Sequence, residues 1–379
     1  MTGIITADVL VIGAGMAGAS VAAELARDFQ VALLEREEHP GYHSTGRSAA
    51  MYVKNYGNAP VRLLTAASGE FLDRPPADFV DQPLLRPRGV MYVARLGQEQ
   101  ALASLATLEG TEPLTLPEAR QRVPLLRIEQ VIGVLLETAA MELDVHALHE
   151  GYLRRFRQAG GQLHCRAGVE SLEYRAGHWR VGTRSGLFEA PVLVNAAGAW
   201  ADELAVLAGG RAVGLTPKRR TAAIVAPPAG VDVRHWPMVI GVAEDVYFRP
   251  EVGKLLLSPA DATPVPPCDV QPEEWDVALA VHRLEELLEI EVTRVEHRWA
   301  GLRTFAADGS PVVGWDPQLA GFFWLAGQGG YGIQMAPALA RLAAALVADR
   351  PPPGDLAGLD QAGVDPHRLL GDRIPETGS

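Results

Sequence analysis

Residues 7–20 read ADVLVIGAGMAGAS, in which a short apolar run leads into Gly13, Gly15 and Gly18. This is the G-x-G-x-x-G spacing, placed between a predicted strand and a predicted helix. Gly13 permits the tight turn, Gly15 lets backbone N–H groups approach a pyrophosphate, and Gly18 permits close helix packing. The N-terminus of the helix adds partial positive charge. The predicted phosphate site comprises Gly13, Gly15, Met16, Ala17 and Gly18.

An acidic residue completes this pattern at the end of a second apolar run. Residues 30–35 read QVALLE, and Glu35 stands 22 positions after Gly13. At that spacing a carboxylate meets the adenosine ribose of a bound dinucleotide. We therefore predict that Glu35 binds the ribose, with Arg36 beside it. An ordinary glycine turn would not require the strand, the helix and the terminal acid together.

Three segments repeat one order of elements: an apolar β-branched run, a glycine-rich turn, and an Ala- and Leu-rich stretch of helical period. They are residues 7–27, 191–207 and 321–349. Such strands are typical of a parallel sheet covered by helices on its faces. Residues 79–95 and 217–304 instead alternate and carry Pro pairs, which favours an antiparallel sheet. The predicted fold class is α/β, a Rossmann-like nucleotide-binding domain with an inserted, mostly antiparallel β domain for substrate.

The chain order of these segments predicts discontinuous domains. The cofactor domain is assigned residues 1–78, 140–215 and 305–379, and the substrate domain is assigned residues 79–139 and 216–304. Amphipathic helices are predicted over 145–159 and 273–289. The Pro-, Gly- and Asp-rich segment after Arg350 is predicted to be a loop or a frayed end.

Composition excludes several classes of protein. The 379 residues carry 34 Lys and Arg against 46 Asp and Glu, a net charge of −12, which disfavours nucleic acid as a partner. The two cysteines, Cys165 and Cys268, have no disulfide or zinc spacing, and the histidines have no metal-like spacing, so no metal site is expected. The uncharged stretches 9–23 and 317–340 contain too many glycines and polar groups for membrane spans. We expect a cytoplasmic protein without a signal peptide or an integral membrane segment.

The segment after Glu35 favours FAD over NAD. Residues 36–50 read REEHPGYHSTGRSAA, whose N–H and hydroxyl donors suit a long dinucleotide. The sequence here resembles the FAD-dependent glycine oxidase, sarcosine oxidase and D-amino-acid oxidase superfamily, and most closely the bacterial FAD-dependent D-arginine dehydrogenases. The resemblance extends from about Asp8 to about Ala340. The blocks that carry it are GYHSTGRSAA (41–50), VNAAGAW (194–200), PKRR (217–220), WAGLR (299–303) and QGGYGIQ (328–334).

The resemblance implies most of the cofactor contacts. It assigns to the flavin and its phosphates Ser44, Thr45, Gly46, Arg47, Ser48, Ala49 and Ala50, to the adenine Val169, and to the pyrophosphate region Ala197, Gly198 and Trp200. The last block also has a physical reason, because clustered amide N–H groups and a helix N-terminus stabilise negative charge on a reduced flavin. Its residues are Gly329, Gly330, Tyr331, Gly332, Ile333 and Gln334. Some relatives bind the flavin covalently through a histidine near His43, but the closer resemblance is to non-covalent binders.

Oxidation of an amino acid on a flavin requires above all that the substrate carboxylate be held in place. Bidentate guanidinium groups do this best, and the candidates are Arg220 and Arg303. Both match arginines that hold the substrate carboxylate in D-arginine dehydrogenases. By the same resemblance, Tyr247 contacts the carboxylate and Tyr56 belongs to a lid. The resemblance also implies that the carbonyl groups of Gly301 and Gly330 accept hydrogen bonds from the substrate amine. It further implies that Gly301, Gly330 and Arg303 lie next to the cofactor.

Two departures from that family bear on the substrate. Val90 replaces a glutamate and Met51 replaces a histidine, which makes one end of the predicted pocket apolar. Because a buried cation without a partner is unfavourable, D-Arg and D-Lys are expected to be poor substrates. Neutral, largely hydrophobic D-amino acids are expected instead. Because Lys54 lies near Tyr56 in the sequence, substrates with an acidic side chain stay an alternative.

The expected reaction is oxidative deamination, with hydride transfer from Cα to flavin N5 and hydrolysis of the imino acid to a 2-oxo acid and ammonia. The alternatives are oxidation of glycine, sarcosine or another secondary amine, oxidation of a 2-hydroxy acid, and a non-catalytic FAD-binding subunit. A 2-hydroxy acid would require a base for the hydroxyl proton, and no matched position offers one. The electron acceptor, dioxygen or a quinone-like molecule, and the oligomeric state stay open. The preference for the D form rests on the resemblance alone.

Overall fold

The computed structural model describes residues 3–370. Within them the strands, in chain order, are β1 Ile5–Thr6, β2 Val9–Ile12, β3 Val31–Leu34, β4 Met51–Tyr52, β5 Leu85–Pro87, β6 Val90–Ala94, β7 Thr111–Leu114, β8 Gly133–Glu137, β9 Met141–Leu143, β10 Gln162–His164, β11 Val169–Arg175, β12 His178–Thr183, β13 Gly186–Ala190, β14 Val192–Asn195, β15 Thr216–Val225, β16 Met238–Gly241, β17 Tyr247–Glu251, β18 Lys254–Ser258, β19 Thr263–Pro264, β20 Val295–Phe305, β21 Val312–Trp315, β22 Phe322–Ala326 and β23 Gln328–Gly329.

The α-helices in the same part of the chain are α1 Met16–Leu25, α2 Ala59–Asp73, α3 Glu99–Leu105, α4 Leu116–Arg122, α5 Val145–Gln158, α6 Ala201–Leu207, α7 Glu274–Leu287, α8 Ala336–Val347 and α9 His367–Leu370. Short 3-10 turns span Ile128–Gln130, Gly198–Trp200 and Gly354–Leu356. The helices predicted over 145–159 and 273–289 are confirmed as α5 and α7. None of the helices in residues 3–370 has the length and apolar character needed to cross a membrane.

A six-stranded sheet in the order β10-β3-β2-β14-β22-β21 forms the Rossmann-like half. Its first five strands are parallel and β21 is antiparallel to β22. One face packs on α1, α2, α5 and α8. The other face packs on the small sheet β1-β13-β12-β11, in which only the β1–β13 pair is parallel, through Trp179 and Phe188. Because both faces are buried, the strands read as the continuous apolar runs seen in the sequence.

A larger sheet in the order β23-β20-β15-β18-β17-β16-β6-β8-β7 forms the second half, with β19 beside β15. Its pairs are antiparallel except β16 with β6. One face buries Phe248 and Leu257 against Leu284 of α7. The opposite face carries Tyr92 and Tyr247, and these side chains lie near the substrate cavity described below. The predicted fold class is confirmed.

A fourth sheet of β4, β9 and β5 brings together segments from both predicted domains. The domain division at the residue numbers given above stays a prediction. Residues 351–370 are mostly the expected loop, with short helical segments at Gly354–Leu356 and His367–Leu370, but they are not a frayed end, while residues 371–379 lie outside the described part. Leu356 and Val364 are buried, and the Val313 N–H donates to the Val364 carbonyl at 2.8 Å. Apolar residues between the prolines and glycines attach this segment to the core.

Candidate functional site

A cavity of about 1080 Å³ lies between the carboxyl ends of the parallel strands and the large sheet. Ligands of open α/β sheets bind at this edge. Most of the predicted cofactor residues line it, namely Gly13, Gly15, Met16, Ala17, Glu35, Arg36, Ser44, Thr45, Arg47, Ser48, Ala49, Ala50, Val169, Ala197, Gly198, Trp200, Gly301, Arg303, Gly329, Gly330, Gly332, Ile333 and Gln334. Residues from seven separate segments therefore meet in one cleft.

The glycine turn has the geometry that its sequence predicts. Gly13 has φ +100°, and a β-carbon there would stand 2.5 Å from the Ala196 carbonyl oxygen. Glu35 is buried, and its two carboxylate oxygens accept the backbone N–H groups of Ala14 and Glu37, each at 2.9 Å. Each oxygen retains acceptor capacity for a further donor. Glu35 thus both supports the turn and is available to a ribose hydroxyl.

Four predicted residues do not line the cavity. A β-carbon at Gly18 would stand 1.7 Å from the Gly13 carbonyl oxygen, and one at Gly46 would stand 2.7 Å from the Gly41 carbonyl oxygen. These glycines therefore serve backbone packing behind the wall. Tyr331 packs edge-on against Tyr56, with ring centroids 4.7 Å apart. Val90 is fully buried, so it does not form the surface of the pocket as expected.

The 41–50 segment attaches to both halves of the molecule. The Thr45 hydroxyl accepts the N–H of Met16 at the start of α1 at 2.9 Å, and the Ser44 hydroxyl donates to the Leu302 carbonyl at 2.7 Å. The Arg47 guanidinium donates to the Ala300 carbonyl at 3.0 Å and pairs with Asp269. Arg47 was expected to face the flavin phosphates, but its charged end is used by the protein and only the rest of the side chain is free to line the cleft.

His43 lines the cleft and contacts a neighbouring carboxylate. Its Nε2 lies 2.9 Å from a carboxylate oxygen of Glu37, and its ring lies 4.7 Å from that of Trp200. The Arg36 guanidinium covers the same indole at 4.8 Å. Trp200 is therefore enclosed by two side chains from the 36–43 segment. These contacts place His43 and Trp200 together in one wall of the cleft.

The predicted carboxylate clamp is assembled from two neighbouring strands. Arg220 of β15 stands directly opposite Gly301 in the register with β20, and Arg303 follows two residues along. Arg220 Nε donates to the Asp261 carbonyl at 2.7 Å, and Arg303 Nη1 donates to the Tyr56 hydroxyl at 3.2 Å. Neither guanidinium forms an ion pair with a carboxylate in residues 3–370. Burial lowers the pKa of Arg220, and the adjacent charge of Arg303 lowers it further.

Tyrosines surround this pair of cations. The Arg220 guanidinium lies 5.9 Å from the ring centroid of Tyr247, which is almost fully buried. Tyr56 sits in the turn between β4 and α2 and is supported by Tyr331. Burial, followed by the charges of neighbouring groups, raises the pKa of Tyr331 to about 12, so it stays neutral. Two facing arginines without a carboxylate form a site for an anionic group of a ligand.

The cavity wall near Met51 differs from the sequence expectation. Met51, Met238, Ile240 and Val242 line it and are apolar, as predicted for Met51. Val90 lies behind this wall, and the exposed surface belongs instead to Tyr92. The Tyr92 hydroxyl donates to Glu137 at 3.0 Å, and Glu137 stands opposite Val90 in the β6–β8 register. A carboxylate is therefore present at this end, contributed by the neighbouring strand.

Sequence reasoning missed three further supporting residues. Asn195 is fully buried, donates to the Ala201 carbonyl at 2.8 Å and accepts the Ala197 N–H at 3.3 Å, which shapes the turn after β14. His149 of α5 contacts the Ala14 carbonyl at 2.9 Å. Asp261 accepts the backbone and hydroxyl groups of Thr221. The asparagine ending an apolar run was a usable signal, whereas the other two act across long sequence separations.

Comparison with known proteins agrees with this geometry. The family model described as "DAO: FAD dependent oxidoreductase" matches residues 8–346. The chain belongs to this family. The superfamily resemblance and the FAD cofactor inferred from the sequence are thereby confirmed.

Individual relatives are distant but cover the chain. Glycine oxidase of Geobacillus kaustophilus is 27% identical over 382 residues, covering 92% of this chain and 95% of its own. The crystal structure of glycine oxidase from Geobacillus kaustophilus has a TM-score of 0.80 at 24% identity, covering 94% of this chain and 98% of the other. That of L-proline dehydrogenase from P. horikoshii has a TM-score of 0.82 at 21% identity, with 97% and 99% covered. The two structures show a shared fold.

The cleft fits FAD by its own chemistry. Glycine turns at Gly13 and Gly198 bring the backbone close to the cleft. A β-carbon at Gly13 would clash with the Ala196 carbonyl oxygen at 2.5 Å. The start of α1 supplies N–H groups and partial positive charge where a pyrophosphate requires them. Glu35 lies at the position for the adenosine ribose, and the glycine-rich 327–332 wall lies beside Arg303. These groups would hold the cofactor.

Proposed function

We propose that this FAD-dependent oxidoreductase oxidatively deaminates D-amino acids with neutral, largely hydrophobic side chains to 2-oxo acids and ammonia. The observation that carries this proposal is the pair Arg220 and Arg303. Two guanidiniums face one cavity, beside the glycine-rich wall, and neither forms an ion pair with a carboxylate in residues 3–370. An α-carboxylate supplies the missing charge. The glycine oxidase relative supports an amine as the reacting group.

Different residues are proposed to bind the carboxylate and the amine of the substrate. Arg303 and Arg220 hold the carboxylate, and Tyr56 and Tyr247 add hydroxyl groups at the same place. The carbonyl groups of Gly301 and Gly330 are the proposed acceptors of the substrate amine. FAD, when bound, would supply the acceptor for the hydride from Cα. Positioning is therefore the main contribution of the protein, because a substrate fixed at two points presents Cα in one orientation.

The wall that would face the substrate side chain supports a neutral group. Met51, Met238, Ile240 and Val242 contribute apolar surface, and Ala222 and Ala260 leave room beside them. Burial of a methylene against such a wall contributes about 0.8 kcal/mol. Oxidation of glycine or sarcosine is the second candidate, favoured by the glycine oxidase relative. Those substrates would leave this wall uncovered.

The test is anaerobic mixing of the purified holoenzyme with D- and L-amino acids, glycine, sarcosine and 2-hydroxy acids while the oxidised flavin absorbance is followed. Bleaching by D-Leu, D-Met or D-Phe, with slower bleaching by glycine, is the expected result. Faster bleaching by glycine or sarcosine would favour the second candidate. Bleaching only by L-amino acids or 2-hydroxy acids would refute the proposal, and so would no bleaching at all.

A variant connects the activity to the clamp. Arg303→Lys retains the charge but loses the planar pair of donors. We expect kcat/KM for D-Leu to fall by about 100-fold, chiefly through KM, because charge-assisted bidentate bonds are worth about 2–3 kcal/mol. Unchanged kinetics in this variant, with flavin content equal to that of the wild type, would show that Arg303 does not hold the substrate carboxylate.

A further inference from the structure

The substrate-facing wall of the cavity holds one polar pair that the clamp does not use. Tyr92 of β6 lines the cavity and donates its hydroxyl hydrogen to Glu137 of β8 at 3.0 Å. Glu137 is 2% exposed and lies behind the tyrosine. An ionised carboxylate only accepts hydrogen bonds, so the Tyr92 hydrogen is committed to it. The remaining lone pairs of the Tyr92 oxygen are acceptors toward the cavity.

Other groups around Glu137 keep it in place. Asn55, in the turn that carries Tyr56, and exposed Lys54 lie close enough to Glu137 to favour its ionised form. Burial raises the pKa of Glu137, while the hydrogen bond from Tyr92 and these neighbours act in the opposite direction. Tyr92 is thus the donor that the structure holds on this carboxylate.

A second carboxylate stands at the same end of the cavity. Glu244, in the turn between β16 and β17, is solvent-exposed and lines the cavity. Its negative charge lies close enough to contribute to the raised pKa of Tyr92. Its backbone has φ +51°, which places a non-glycine residue in the left-handed region. The polar atoms offered to a substrate side chain here are therefore acceptors or negative charges, whereas the cations Arg220 and Arg303 serve the α-carboxylate.

We propose that Tyr92, backed by Glu137, makes this wall accept, among polar side chains, those that end in an N–H or O–H donor and exclude those that end in a carboxylate. The inference rests on the proposed function and defines which polar side chains the same apolar pocket tolerates. It excludes substrates with an acidic side chain, which the presence of Lys54 had left as an alternative. An N–H or O–H group of the substrate side chain can donate a hydrogen bond to the Tyr92 oxygen. A substrate carboxylate would instead be repelled by the negative charges at this end of the cavity, and the Tyr92 oxygen has no hydrogen left to donate to it.

D-Gln and D-Glu form the sharpest pair of probes, since they differ by an amide in place of a carboxylate at equal size. We expect kcat/KM to favour D-Gln by at least about 30-fold, because like-charge juxtaposition is strongly unfavourable. Glu137→Gln removes the charge and retains an acceptor for Tyr92, so the ratio should fall by about tenfold. Glu112→Gln, an exposed carboxylate on the adjacent strand β7, is the matched control and should leave the ratio unchanged.

Tyr92→Phe provides a second measurement if Glu137→Gln does not fold. It removes the acceptor from the wall, so the ratio of kcat/KM for D-Gln to kcat/KM for D-Leu should fall by about tenfold. Equal rates for D-Gln and D-Glu in the wild type, with D-Leu oxidised, would overturn this inference and leave the proposed function standing. Absence of flavin bleaching by every D-amino acid would instead refute the proposed function.

Discussion

Gly330 lies directly against the guanidinium of Arg303, so that a β-carbon at position 330 would stand 2.7 Å from Arg303 Nη1. The clamp arginine is thus fixed on one side by Tyr56 and on the other by a glycine with no side chain. A methyl group in that place would push the guanidinium out of its position. The glycine at the wall therefore determines where the guanidinium proposed to hold the substrate carboxylate can lie.

Gly330→Ala is expected to raise KM for D-amino acids by about 10- to 100-fold, because a misplaced guanidinium loses one charge-assisted bond worth about 1.5–3 kcal/mol. Steady-state kinetics, together with the ratio of FAD to protein, measure this. Gly354→Ala is the control, since a β-carbon there meets no other atom within 4 Å. An unchanged KM in Gly330→Ala would show that Arg303 does not position the substrate.

Arg219 and Arg220 are adjacent in sequence but serve different purposes. Arg219 pairs with Asp276 at 2.9 Å and with Glu273 at 2.7 Å on the face of β15 that meets α7, while Arg220 faces the cavity. Arg219→Ala should lower the free energy of unfolding by about 3–5 kcal/mol, because it leaves the buried Asp276 unpaired. Arg220→Ala should instead raise KM.

Denaturant unfolding and kinetics on both variants separate these effects. The folded fraction of Arg219→Ala should retain a KM within about twofold of the wild type, since its ion pairs lie on the other face of the strand. A large rise in KM for Arg219→Ala together with normal kinetics for Arg220→Ala would contradict the assignment.

His149 makes stability depend on pH. Burial lowers its pKa, and the Ala14 carbonyl can only accept, so Nε2 carries the hydrogen of the neutral ring. The unfolded chain binds a proton on this histidine below about pH 6.5, while the folded protein resists it. Stability is therefore full above that pH and is lost as pH falls below it. His149→Gln should flatten the decline of Tm between about pH 6.5 and 5.

Thermal unfolding at fixed ionic strength across this pH range measures the effect of His149. The matched control is His282→Gln, since the His282 side chain is 67% exposed. That variant should follow the wild-type curve. If His149→Gln also follows the wild-type curve, the ring does not link α5 to the glycine turn as a neutral group.

Glu35 is expected to set FAD affinity. Glu35→Gln would turn an amide N–H toward one of the two backbone N–H groups that the carboxylate accepts. We expect the Kd for FAD to rise by about 10- to 100-fold, because a buried donor left unsatisfied costs about 1–3 kcal/mol. Fluorescence titration of the apoprotein measures it, with exposed Glu38→Gln as the control. Equal Kd values for wild type and Glu35→Gln would exclude Glu35 from the cofactor site.

The sequence predicted the cofactor half more completely than the substrate half. The turn at Gly13, the helix after it and the acid at Glu35 act through local backbone geometry, so residue type and spacing identify them. The Val90 expectation was incomplete because Glu137 reaches the same end of the pocket from 47 positions away in the chain. Only the β6–β8 pairing brings these two residues opposite each other.

The sequence by itself determined the α/β class, the FAD cofactor and the arginines that are candidates for the clamp, because each depends on patterns within short segments. Tertiary structure decided that Arg220 rather than Arg219 faces the cavity, and that Tyr92 replaces Val90 on its wall. Alternation along a strand assigns neighbouring side chains to opposite faces. Which face becomes a binding wall depends on α7 covering the other one, and that packing joins residues far apart in the chain.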